Sequence, residues 1–237
     1  MAIGLRSVIK NLKSPLALKA LSFGALMVAA RFLLLGGWGG AFVFGAGVLV
    51  MYFNPPFRSV RLFASALILT AISVLAIVAS GAMVFWLSVF LLSFLFYLVL
   101  IVKDLTVLNR DQWYFILQLA LIYAALSAFF FWYGDFPGLA SVLLVLVMFL
   151  LSNERFPGLP VISGVMSFLA LQAVIALGLL PLGFINAAVS GLLIVFFFGD
   201  LIYFSVKNKL SARLLLVDTT TVTLGLVATF FLTRWVP

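Results

Sequence analysis

The chain has no histidine and no cysteine, and only 8% of its 237 residues are charged. Each scarcity closes off chemistry. Without His and Cys, imidazole general-base catalysis, thiol catalysis, haem ligation, disulfides and the usual zinc sites lose their residues. The zinc-protease HExxH and the His base of intramembrane serine proteases fall for the same reason. No GxxxxGK[ST] loop is present to cradle the phosphates of ATP. The paired aspartates by which lipid-modifying transferases hold Mg²⁺ near diphosphates are missing too, since Asn109-Arg110-Asp111 offers a single acid. The sequence therefore leans away from an enzyme and assigns no catalytic residue, metal or cofactor.

Acids are scarcer than bases: six Asp and Glu stand against fourteen Lys and Arg, a net charge of +8. A soluble domain carries about a quarter charged residues. This chain cannot cover a water-exposed surface with so few, so its outside must face lipid. What it has in abundance is apolar sequence, at 66%. Roughly 20 apolar residues, rising 1.5 Å each, cross the ~30 Å hydrocarbon core. Stretches of about that length occupy 16–35, 38–53, 62–80, 82–102, 113–133, 138–152, 161–180, 183–206 and 214–233. Between them lie turn and breaker sequences: GGWGG at 36–40, NPP at 54–56, GDFPG at 134–138, NERFPGLP at 153–160 and PLG at 181–183.

Backbone polar groups in hydrocarbon need internal partners, which helices supply. A β-barrel would show period-two alternation, and these stretches do not. The expected fold is all-α: a polytopic transmembrane helix bundle of about nine spans, forming a single integral membrane domain over 1–237. Eight spans is the competing count, with the first or second stretch interfacial or re-entrant. Residues 1–15 carry Arg6, Lys10 and Lys13 on one stripe and Leu5, Val8, Ile9 and Leu12 on another. That pattern reads as a basic amphipathic segment lying on anionic headgroups. The charged start of a signal peptide is the competing reading, disfavoured because the chain continues apolar.

Orientation follows the basic residues. Twelve of the fourteen fall in the amino-terminal segment or in alternate breaks, leaving Arg31 inside the first span and Arg234 near the carboxyl end. This predicts an N-inside, C-outside arrangement in an inner or plasma membrane. It also explains the net charge without nucleic acid.

An internal repeat is legible as well. VLVMYF at 48–53 recurs as VLVMFL at 145–150, and Lys103-Asp104-Leu105 as Gly199-Asp200-Leu201. These matches suggest parallel halves at 36–133 and 134–237, the first span being extra, or else chance alignment of low-complexity apolar sequence. Paired short spans of this kind point to binding sites in transporters.

Five residues are candidates for a site. Asp200 lies inside span eight, where a carboxylate costs about 2.5–3.5 kcal/mol at the helix centre and demands a partner. It reads as a proton- or cation-linked group, or as a structural ion pair with Lys207, Arg213 or Arg155. Asp218, followed by a run of threonines at the start of span nine, reads as a second acid of that site or as a helix cap. Gln118 and Gln172 are intramembrane amides, suited to substrate contact or to interhelical hydrogen bonds. Arg31 would reach the outer headgroups and bind a lipid phosphate or simply snorkel. Glu154 and Arg155 read as paired loop charges. Gly24, Gly45, Gly47, Gly164, Gly191 and Gly225 read as sites of close helix approach.

The leading functional expectation is transporter-like: a small molecule, ion or lipid binds or passes between helices, with Asp200 and Asp218 near the cytoplasmic mouth. The alternative is a non-catalytic subunit or scaffold that associates with another membrane protein or a second copy. A lipid-processing enzyme ranks third. The lipid bilayer is the one partner expected under all three.

Overall fold

The computed structural model describes residues 15–32, 38–53, 62–79, 81–104, 110–132, 137–156 and 158–233. Among them are nine α-helices and no strand. We label these α1 (Pro15–Phe32), α2 (Trp38–Phe53), α3 (Phe63–Ala79), α4 (Ala82–Asp104), α5 (Arg110–Trp132), α6 (Pro137–Arg155), α7 (Pro160–Gly178), α8 (Phe184–Val206) and α9 (Ala212–Leu232). Each apolar stretch of the sequence holds one helix. The amphipathic segment expected at 1–15 lies outside the described residues apart from Pro15, as do the NPP break and parts of GGWGG and GDFPG.

Five helices are long and apolar enough to cross a membrane: Ala82–Lys103, Trp113–Phe131, Pro160–Gly178, Phe184–Val206 and Ala212–Leu232. Their large side chains also point outward, among them Met83, Phe90, Phe168, Leu216 and Phe231. That is the outside of a helical membrane protein. Hydroxyls on the apolar helices, α3 included, bond back to the carbonyl four residues earlier. Ser73 donates to Leu69, Ser88 to Val84, Ser167 to Ser163 and Thr221 to Val217, at 2.7–2.8 Å. Such back-bonding satisfies a polar group without water.

The chain forms two compact units, Met1–Leu117 and Gln118–Pro237, the boundary falling within α5. In the first unit α1 packs on α2, α3 and α4, and the four helices follow one another round the bundle. Its centre is aromatic. Phe23 of α1 stacks on Phe96 of α4 at 4.5 Å and meets the edge of Phe44 of α2 at 5.2 Å. Such pairs add about 0.5–1.5 kcal/mol each beyond area burial. Small residues bring the helices close. A β-carbon at Gly24 would lie 2.7 Å from Ser93 Oγ, and one at Gly47 would lie 2.5 Å from a Leu26 methyl.

In the second unit Leu126 and Phe129 of α5, Leu144 and Met148 of α6, Ala170 and Val174 of α7, and Ala188 and Val195 of α8 form one buried cluster. Gly191 admits Leu126 of α5, and Gly225 admits Leu193 of α8. Gly45 and Gly164 make no such close approach. α9 packs on α8 through a stripe that includes Val222, Gly225 and Thr229, and most of its surface stays uncovered.

Candidate ionic site

Three helices end on a cation in their last turn: Arg31 in α1, Lys103 in α4 and Arg155 in α6. Each position complements the partial negative charge of a helix carboxyl end. Arg155 leads to the candidate site. α6 runs through Asn153-Glu154-Arg155, further than its NERFPGLP break suggested, and stops where Phe156-Pro157-Gly158 follows. Gly158 sits at φ +84°, a conformation open mainly to glycine, and Pro160 begins α7 at a position where a missing N–H costs nothing.

Arg155 is therefore a helical residue aimed at α8 and not a loop charge. Its Nη2 lies 2.5 Å from Asp200 Oδ1, with side chains only 20% and 14% exposed. The neighbouring Gly199 makes the approach fit, since a β-carbon there would stand 2.8 Å from Arg155 Nη1. The guanidinium carbon also lies 5.4 Å from the ring centroid of Tyr203, one turn along α8. Lys207, a further turn on, stacks over the same ring at 4.1 Å and donates a hydrogen bond to its hydroxyl. Of the three bases that sequence offered Asp200, the structure gives it Arg155.

Asp218 stands on α9, the helix that packs on α8. It is half-buried and shares the packed stripe of Val222, Gly225 and Thr229, at spacings of four, three and four residues. It stands close enough to Asp200 for the two charges to repel. The capping role falls elsewhere: Ser211 is the N-cap of α9, and its Oγ accepts from the Leu214 N–H. The ion pair itself joins only Asp200 and Arg155.

Gln118 is buried on α5, and its Nε2 donates to the Leu151 carbonyl of α6 at 3.3 Å. Leu151 lies one turn before Arg155, so Gln118 meets the same face of α6 one turn deeper. Gln172 is exposed on α7, apart from these contacts. Arg31 belongs to the first unit, where its Nη1 donates to the Ala76 carbonyl at 3.4 Å and its guanidinium lies over Phe85 at 4.3 Å. Asp104, Arg110 and Asp111 have side chains outside the described set.

Sequence reasoning missed Tyr203 and Gly199, and it placed Arg155 wrongly. A signal for Arg155 was present, because helix-stopping residues begin only after it. A signal for Gly199 was its position directly before the one acid of α8. No family model, curated protein or solved structure matches the chain.

Proposed function

We propose that this chain is a nine-span protein of an inner or plasma membrane, amino end inside and carboxyl end outside, with a transporter-like role. It takes up a proton or a small cation at Asp200 and Asp218. The observation that carries this reading is a second acid, Asp218, within electrostatic reach of the Asp200–Arg155 pair. Arg155 balances Asp200, and no ion pair among the described residues involves Asp218. A half-buried second acid beside a first one favours a bound proton or cation. The orientation rests on the placement of Lys and Arg in alternate breaks.

The repeat belongs to the same proposal. The 97-residue offset pairs α1–α4 with α5–α8 as readily as it pairs α2–α5 with α6–α9, and the first pairing leaves α9 outside both bundles. At 97 residues Lys103 falls opposite Asp200, one residue off the match of Lys103-Asp104-Leu105 with Gly199-Asp200-Leu201. Lys103 Nζ donates to the Tyr52 carbonyl at 2.5 Å, tying the end of α4 to the end of α2. Asp200 ties α8 to the end of α6 in the same way. Each four-helix set closes one end with a contact from a charged side chain between its second and fourth helices.

A second reading, a subunit that positions another membrane protein, is favoured by the surface of α9. Only 11% of its apolar span is buried. Thermal unfolding of the purified protein from pH 4 to 9, with Na⁺, K⁺, Mg²⁺ and small organic cations, separates the two. A ligand that binds only the folded state stabilises it in proportion to its saturation. The ion-site reading expects a proton- or cation-dependent shift that Asp218→Asn abolishes while still folding. A wild type without any shift, or a shift that survives in Asp218→Asn, favours the subunit.

A further inference from the structure

We propose that the turn between α8 and α9, together with the groove below it, holds one anionic phospholipid. This rests on the membrane reading but not on the ion-site reading. The groove has a volume of ≈ 540 Å³ and is lined by Leu210, Ser211, Leu215, Leu216, Thr219 and Thr220. That size falls among the clefts that hold small-molecule ligands. Its walls are mostly apolar along α9, and the Thr220 hydroxyl is satisfied by the Leu216 carbonyl at 2.7 Å. An acyl chain matches such a lining.

Two bases lie next to lining residues at the turn, Lys209 before Leu210 and Arg213 after Ala212. Lys209 and Arg213 flank Ser211, both are exposed, and no ion pair among the described residues involves either. Lys207 differs, because Tyr203 engages it. The turn is compact and defined: Asn208 takes φ +52°, and the Lys209 N–H donates to the Phe204 carbonyl at 2.9 Å. The first turn of α9 contains no acid. A phosphate diester at this turn would meet two cations and the positive end of a 21-residue helix. Charge complementarity at one end and hydrocarbon at the other specify an anionic glycerophospholipid over a neutral one or a free anion.

The test uses the full chain in nanodiscs and in a neutral detergent, with bound lipid counted by native mass spectrometry. Phosphatidylglycerol is titrated against phosphatidylcholine, with inorganic phosphate as competitor. The wild type is expected to retain one phosphatidylglycerol, with about tenfold or greater preference over phosphatidylcholine. Lys209→Gln with Arg213→Gln should remove that preference, and Leu216→Trp, which fills the groove, should remove the bound lipid. Arg58→Gln with Arg61→Gln, which changes the net charge equally, should alter neither. Equal loss in that control means diffuse attraction and overturns the site. So does displacement by millimolar phosphate, a preference that survives the double substitution, or retention of the lipid in Leu216→Trp. A chain that fails to enter nanodiscs refutes the membrane reading itself, which is a separate result.

Discussion

Arg155 and Gly199 fit together as a cation and the gap that receives it. The guanidinium occupies the volume where a β-carbon on Gly199 would stand, 2.8 Å from Nη1, and this lets Nη2 reach Asp200 at 2.5 Å. Gly199→Val should push the guanidinium off the carboxylate. Helix propensity alone favours Val over Gly by a few tenths of a kcal/mol. Net destabilisation in thermal unfolding would therefore come from the lost fit. Combining Gly199→Val with Arg155→Ala should be less than additive, because the two changes act on one contact. Additive effects would mean that the glycine serves something else.

The ion pair itself calls for a double-mutant cycle. Removing one partner of a buried pair costs about 3–5 kcal/mol, whereas replacing both by apolar residues is often neutral. Partial exposure of this pair lowers that figure, so Asp200→Leu and Arg155→Met are each expected to cost about 1–3 kcal/mol. The double variant should recover at least half of the summed loss. A double variant as unstable as the sum would show that the two groups do not interact.

How far the sequence carried the structure depends on how local each signal was. The nine helices were legible because an apolar run and the breaker after it are read within a few residues, as at Phe156-Pro157-Gly158. Asp200 was legible as a residue needing a partner, since a carboxylate in hydrocarbon is costly wherever it points. Which base would meet it was not legible, because that depends on how α6 and α8 are set against each other. Arg31 shows the same limit: its contacts with the Ala76 carbonyl and the Phe85 ring reach far along the chain and could not be read from its position near GGWGG. Asp218 resembled a helix cap by position, and only the packed stripe of α9 brings it within electrostatic reach of Asp200.

In the first unit, Lys103 joins the ends of α4 and α2 through the Tyr52 carbonyl and lies 4.1 Å over the Tyr52 ring. Lys103→Met keeps the length of the side chain and removes the charge. It should lower stability by about 1–2 kcal/mol in thermal unfolding, from one charge-assisted hydrogen bond and one cation–π contact. Lys103→Arg should restore most of the loss. If Met and Arg behave alike, the charge contributes nothing and the contact is only packing.

Topology is accessible because the chain has no cysteine of its own. Single cysteines at Gly81, Gly183 and Lys209 fall in exposed breaks. With nine spans and the amino end inside, a membrane-impermeant maleimide added to intact cells should label positions 81 and 183. Position 209 should react only after permeabilisation. Labelling of 209 in intact cells would reverse the orientation, and labelling of 81 and 183 from opposite sides would change the number of spans.

The most direct measurement is flux. Protein reconstituted into sealed liposomes, with a pH- or cation-sensitive dye inside, is exposed to an imposed gradient. Wild type should change the internal signal faster than protein-free liposomes, and Asp218→Asn should be slower than wild type by about tenfold or more while remaining folded. A wild type no faster than empty liposomes, or an Asp218→Asn protein as fast as wild type, would contradict the ion-site account.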